Sequence, residues 1–81
     1  MTKEELALYV QQGDEIEFNY DNKRFSITYG EFDGEDMISF CEFYKETTEV
    51  KTVEGLLKVK RYGVTVEKML TSCSEDDIDI F

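Results

Sequence analysis

EIEFNYDNKRFSITY, running from Glu15 to Tyr29, alternates apolar and polar residues on both sides of an Asp-Asn pair. Ile16, Phe18 and Tyr20 share one side and Glu15, Glu17 and Asn19 the other, the period of two expected of a strand with one wet face. Asp21 and Asn22 suit a tight turn, after which Phe25, Ile27 and Tyr29 repeat the alternation around Ser26 and Thr28. Two strands joined this closely form an antiparallel hairpin.

Upstream of the hairpin, Thr2 and Glu5 have the spacing of a capping box. There a hydroxyl and a carboxylate satisfy the free amides of a helix start. Leu6, Tyr9 and Val10 follow on one helical face, and Gly13 suits the left-handed position past a helix end. Downstream, Gly30 to Asp36 holds two glycines and four acids and reads as an exposed loop. Met37 to Lys45 reads as a third strand, with Ile38, Phe40 and Tyr44 on one side and Met37, Cys41 and Phe43 on the other. Apolar residues on both sides predict a strand covered on both faces.

Glu46 to Lys51 reads as a polar connection. Thr52 then caps a short second helix carrying Val53, Leu56 and Leu57, weakened by Gly55. A turn at Tyr62-Gly63 leads to Thr65, the cap of a third helix, with Val64 and Met69 in the staple positions and Val66, Met69, Leu70 and Cys73 as its apolar stripe. Ser74 to Phe81 interleaves four acids with Ile78, Ile80 and Phe81. It fits an edge strand, a helical turn or a frayed tail. The predicted fold is thus α+β: an N-terminal helix, a three-stranded antiparallel sheet and two C-terminal helices.

Eighty-one residues bound this to a single domain, residues 1–81, and six Phe with five Tyr supply apolar bulk that a disordered acidic chain lacks. Nineteen Asp and Glu against nine Lys and Arg leave a formal net charge of −10. That charge repels phosphate backbones and anionic lipid, which argues against direct nucleic-acid or membrane binding and favours a protein partner with a basic surface. Cys41 and Cys73 stand apart, with no CxxC spacing, and read as reduced thiols acting as small hydrophobes. The polar start and the absence of a long apolar run predict a soluble protein with a cytoplasmic location.

Catalytic and metal chemistry find little foothold. The absence of histidine removes the usual general base and the commonest zinc ligand. The glycines match neither a phosphate-binding loop nor a dinucleotide fingerprint. An EF-hand register that places Gly34 sixth puts Tyr29 first and Phe40 twelfth, where carboxylates are needed. The hairpin aromatics are a poor base-stacking platform because their neighbours are acidic. The expectation is a protein that is not an enzyme and binds no cofactor or metal.

The remaining signal is the distribution of acids. Glu15 and Glu17 lie on the wet strand face, Glu31, Asp33, Glu35 and Asp36 in the predicted loop, and Glu75, Asp76, Asp77 and Asp79 in the tail. Gathered on one face, these ten would resemble a row of phosphates and form a partner-binding surface; the alternative is separate solvated loops. Lys58, Lys60 and Arg61 form a small basic patch after the second helix.

Glu15-Ile-Glu-Phe-Asn-Tyr20, Ile38-Ser-Phe-Cys-Glu-Phe-Tyr-Lys45, Thr52-Val-Glu-Gly-Leu-Leu57 and Gly63-Val-Thr-Val-Glu-Lys-Met-Leu70 together resemble a group of short uncharacterised acidic bacterial and phage-borne proteins. The resemblance implies a fold and a genomic habitat, not an activity. In size and charge the chain is also similar in kind to phage inhibitors of bacterial defence, including anti-CRISPR proteins and other DNA mimics. The function expected is therefore that of an acidic inhibitor or adaptor. It would engage the basic nucleic-acid-binding surface of a larger protein, for instance a nuclease. The alternatives are a regulatory interaction module whose acids serve solubility, or an immunity protein or antitoxin.

Overall fold

The Asp21-Asn22 turn forms as its residues predict. Both adopt left-handed backbone, φ 52° and 60°, as the two-residue turns that suit twisted hairpins require. In the computed structural model, which describes residues 1–81, this turn joins β1 (Ile16–Tyr20) to β2 (Lys23–Phe32), in register from Ile16 opposite Ile27 to Tyr20 opposite Lys23.

Beyond this hairpin the expected three-stranded sheet is corrected to five strands. The segment Gly30 to Asp36 is not a loop. β2 runs on to Phe32, Asp33 and Gly34 make a second two-residue turn at φ 53° and 82°, and β3 (Glu35–Glu42) returns beside β2. Asp-Gly is a strong hairpin signal that the surrounding acids conceal. The polar connection Glu46 to Lys51 contains β4 (Thr47–Val50), whose β-branched Thr47, Thr48 and Val50 tolerate extended backbone and pair with β3. The tail forms a 3-10 turn (Glu75–Asp77) followed by β7 (Ile78–Ile80), which pairs with β1. The antiparallel order is β4-β3-β2-β1-β7.

Three helices accompany the sheet: α1 (Lys3–Gln12), α2 (Val53–Lys58) and α3 (Val66–Ser72). Between α2 and α3 lies a small hairpin absent from the sequence reading, β5 (Lys60–Arg61) and β6 (Val64–Thr65), turned by Tyr62-Gly63 at φ 55° and 76°. Both halves of the Thr2–Glu5 capping box are made, and Gly13 closes α1 at φ 79°. Thr52 and Thr65 cap the other two helices by accepting the Gly55 and Lys68 amides.

The helices gather on one face of the sheet. Leu6, Val10, Leu56, Leu57, Val66, Met69 and Leu70 are buried in one cluster with Ile16, Phe18, Phe25, Ile27, Ile38 and Phe40. Phe25 stacks between Phe18 and Phe40 at centroid distances of 5.3 and 5.5 Å. Truncating any of these rings is worth about 3–5 kcal/mol, comparable to the whole stability of a domain this small. The opposite face carries Arg24, Ser26, Thr28, Ser39 and Cys41 and has no helix over it. β3 therefore carries helices on one side only, although Ser39 on the other is buried and Met37 and Cys41 half-buried, and Tyr44, expected in its apolar row, lies past its end fully exposed.

Candidate partner-binding surface

The β2–β3 hairpin outruns its neighbours. β1 accompanies β2 only as far as Ile16 opposite Ile27, and β4 leaves β3 at Val50 opposite Ile38. Three further rungs, ending at Phe32 opposite Glu35, project beyond both flanking strands. At the ordinary rise per residue, they reach about 10 Å past the body. Glu31, Asp33, Glu35 and Asp36 are all exposed on this projection.

Strand alternation divides the tip. Tyr29, Glu31 and Asp36 face the helix side, whereas Phe32, Glu35 and Met37 face the open side. Glu31 stands directly opposite Asp36, a like-charge pair that weakens strand pairing. One cation approaches the four carboxylates, the Lys51 ammonium at 3.6 Å from Glu35. Partial desolvation, reinforced by the neighbouring Asp36 carboxylate, holds the Tyr29 hydroxyl above its ordinary range. Phe32 is 45% exposed, a large apolar ring among carboxylates.

Glu17 and Asp79 sit elsewhere, opposite each other on the open face of β1 and β7. Arg24 of β2 joins them: one guanidinium nitrogen donates to both carboxylates at 2.8 Å, and Nε donates to Glu17 at 3.3 Å. These two acids are paired rather than free. Glu15 is exposed just before β1, and its backbone carbonyl accepts the Phe81 amide at 2.8 Å.

Glu75, Asp76 and Asp77 occupy the 3-10 turn at the far end of the sheet. Because β7 runs antiparallel to β1 with Ile78 beside Phe18, this turn lies toward Asp21-Asn22, away from the β2–β3 tip. Asp77 accepts from the Ser74 hydroxyl at 3.2 Å. It also borders a concavity of about 660 Å³, shared with Asp21, Lys23 and Arg24, where charges of both signs meet. The ten acids thus fall into separate groups: a projecting tip, a guanidinium-bound pair, a distal turn and the isolated Glu15.

Of the basic patch, Lys58 and Lys60 are exposed, whereas Arg61 is engaged in holding the fold. Arg61 donates to the Thr48 hydroxyl and lies 5.5 Å from the Phe40 ring centroid, which fastens the β5–β6 hairpin to the sheet. Tyr62 donates to Glu42 at 2.5 Å, and that bond, ahead of partial desolvation, raises its hydroxyl above the usual range; the Lys23 ammonium lies 4.6 Å over its ring. Cys73 donates to the Asn19 carbonyl at 3.1 Å, and desolvation raises its thiol. Cys41 lies on the open face, 3.3 Å from the Ser26 hydroxyl.

Arg24 and Phe32 carry roles that the sequence reading did not assign. The first was accessible in part, because the Asp21-Asn22 turn fixes a register that sets Arg24 diagonally across from Glu17. The second was signalled by a lone phenylalanine inside an acidic run. Nowhere do three or more cysteine, aspartate or glutamate side chains converge in a way that could hold a metal ion. No helix is long and apolar enough to cross a membrane. No protein-family model, curated protein or solved structure matches this chain.

Proposed function

We propose that the protein acts by binding, as an acidic inhibitor or adaptor whose β2–β3 tip engages the basic surface of a larger cytoplasmic protein. The observation that carries this reading is the projecting tip, which displays four exposed carboxylates and a half-exposed Phe32. Carboxylates steer encounter with a cationic groove, and a desolvated aromatic ring supplies affinity. The opposed Glu31 and Asp36 favour it further. They weaken the hairpin and contribute no core contact, so their benefit lies outside the fold. A nuclease or other nucleic-acid enzyme has a groove of the required sign. Phage inhibitors of bacterial defence are the functional class to which this reading assigns the chain.

Asp36→Lys separates binding from folding. It converts a like-charge rung into an opposite-charge one and should stabilise the chain by about 0.2–1 kcal/mol. Capture from a bacterial lysate should recover a nucleic-acid enzyme with the wild-type protein at low salt, and lose it with Asp36→Lys. Equal recovery by the two proteins, or capture indifferent to salt, would return the acids to a role in solubility and overturn the proposal.

A further inference from the structure

β7 closes one side of the sheet and leaves its own outer edge open. It pairs with β1 and with no other strand. In an antiparallel ladder, successive residues turn their amide groups alternately toward and away from the neighbour. The Phe81 amide donates to the Glu15 carbonyl, which sets the phase: Asp79 faces β1, while Ile78 and Ile80 turn their amide groups outward. The Ile78 N–H is taken by the Glu75 carbonyl of the preceding turn. The Ile78 carbonyl and both backbone groups of Ile80 remain for another strand.

Beside that edge runs a half-open groove of about 220 Å³, lined by Met1, Glu5, Tyr9, Glu75, Ile78 and Ile80. Four of these residues are apolar or aromatic and two are acidic. No lysine or arginine lines it, and the ammonium of Met1, one of its lining residues, donates to the Leu70 carbonyl at 3.4 Å. Glu5 gives one carboxylate oxygen to the Thr2 amide and keeps the other. A strand laid along β7 would present alternate side chains to this groove, where an apolar residue fits. The residues between them would point to the open face, where long cationic side chains meet the half-exposed Asp79 carboxylate, one oxygen of which Arg24 leaves free.

We propose that the free edge of β7 accepts an extended segment of another protein, alternating branched apolar and cationic residues, by strand addition. Backbone hydrogen bonds to Ile78 and Ile80 would give register, the groove would take the apolar side chains, and Asp79 on the open face, with the net charge of −10 behind it, would select positive charge. A second copy of this chain fits poorly. Pairing β7 with β7 would bring the acids of two tails together on molecules that each carry a net charge of −10. This surface is distinct from the β2–β3 tip and does not depend on it.

The probe is a synthetic Lys-Val-Lys-Val-Lys-Val-Lys peptide, compared with a blocked-order peptide of the same composition and with a version N-methylated at alternate amides. NMR titration of the full chain should move the Ile78, Ile80 and Tyr9 resonances with the alternating peptide. N-methylation on the pairing edge should weaken binding by roughly tenfold or more, the loss of one or two hydrogen bonds. Ile80→Pro removes an outward N–H that β1 does not use, a change that edge strands tolerate, and should abolish binding. Protection of the Asp79 and Phe81 amides reports whether β7 stays in place in that variant; if it does not, the N-methylated peptide decides. Asp36→Lys should bind the peptide as the wild type does, which separates this proposal from the one above. Equal binding of the blocked peptide, shifts centred on the β2–β3 tip, or self-association through β7 would each overturn it.

Discussion

Arg24 lies between two carboxylates that would otherwise confront each other across β1 and β7. Its hydrogen bonds to Asp79, and then to Glu17, hold the guanidinium more firmly protonated than an isolated arginine. Asp79 is half exposed, so solvent screens its share, whereas Glu17 is the more sheltered partner. Arg24→Gln should therefore cost about 1–2 kcal/mol, part from the lost charged hydrogen bonds and part from the uncovered repulsion. In thermal unfolding this is a fall in Tm of roughly 5–15 °C. Adding Asp79→Asn should restore part of the loss. An Arg24 variant as stable as the wild type would show the cluster to be energetically idle. Lysine should rescue poorly, because one ammonium does not reproduce the planar fork. Half of this cluster was legible in the sequence, since the turn at Asp21-Asn22 fixes the register that sets Arg24 diagonally across from Glu17. Asp79 was not, because it arrives from the other end of the chain.

At the level of elements, α1 was the most legible piece, since its start and stop are written in local side-chain chemistry. Thr2, Glu5 and Gly13 perform the roles their spacing implies. The cap also sets a pH response. The Thr2 backbone amide, followed by the Thr2 hydroxyl, lowers the Glu5 pKa from its ordinary value of 4.5. A depressed carboxylate stabilises the folded form above the unfolded pKa and loses that contribution as pH falls through the folded one. Amide exchange should therefore show the first turn of α1 losing protection in acid below the ordinary glutamate range, while Phe18 and Phe25 remain protected. Protection of α1 that is flat through that range would exclude the cap as its cause. β4 and β7 were hard to read for the opposite reason. Thr47–Val50 and Ile78–Ile80 are short, partly charged and extended only because β3 and β1 offer them partners. The tip was hidden by composition, where the Asp33-Gly34 turn sits among acids that also suit a loop.

Across the whole molecule, nineteen acids face nine bases, and the ion pairs are mostly exposed. Self-repulsion should outweigh attraction, so added sodium chloride should raise Tm as the Debye length contracts to about 8 Å near physiological strength. A Tm that falls with salt would mean that the Arg24 cluster dominates the balance. The candidate surface was legible in its residues and not in its grouping. The acids of the tip, the Arg24 pair and the 3-10 turn are close in kind, but strand direction sends Glu31 and Asp77 to opposite ends of the sheet. β7 should respond to salt in the reverse sense from the rest of the molecule, because a single guanidinium fastens its side chain at Asp79. Screening that tightens the body should slacken this ribbon, and faster exchange of the Asp79 amide at high salt would show it. The sheet would then peel from one margin while the phenylalanine stack beneath stays shut.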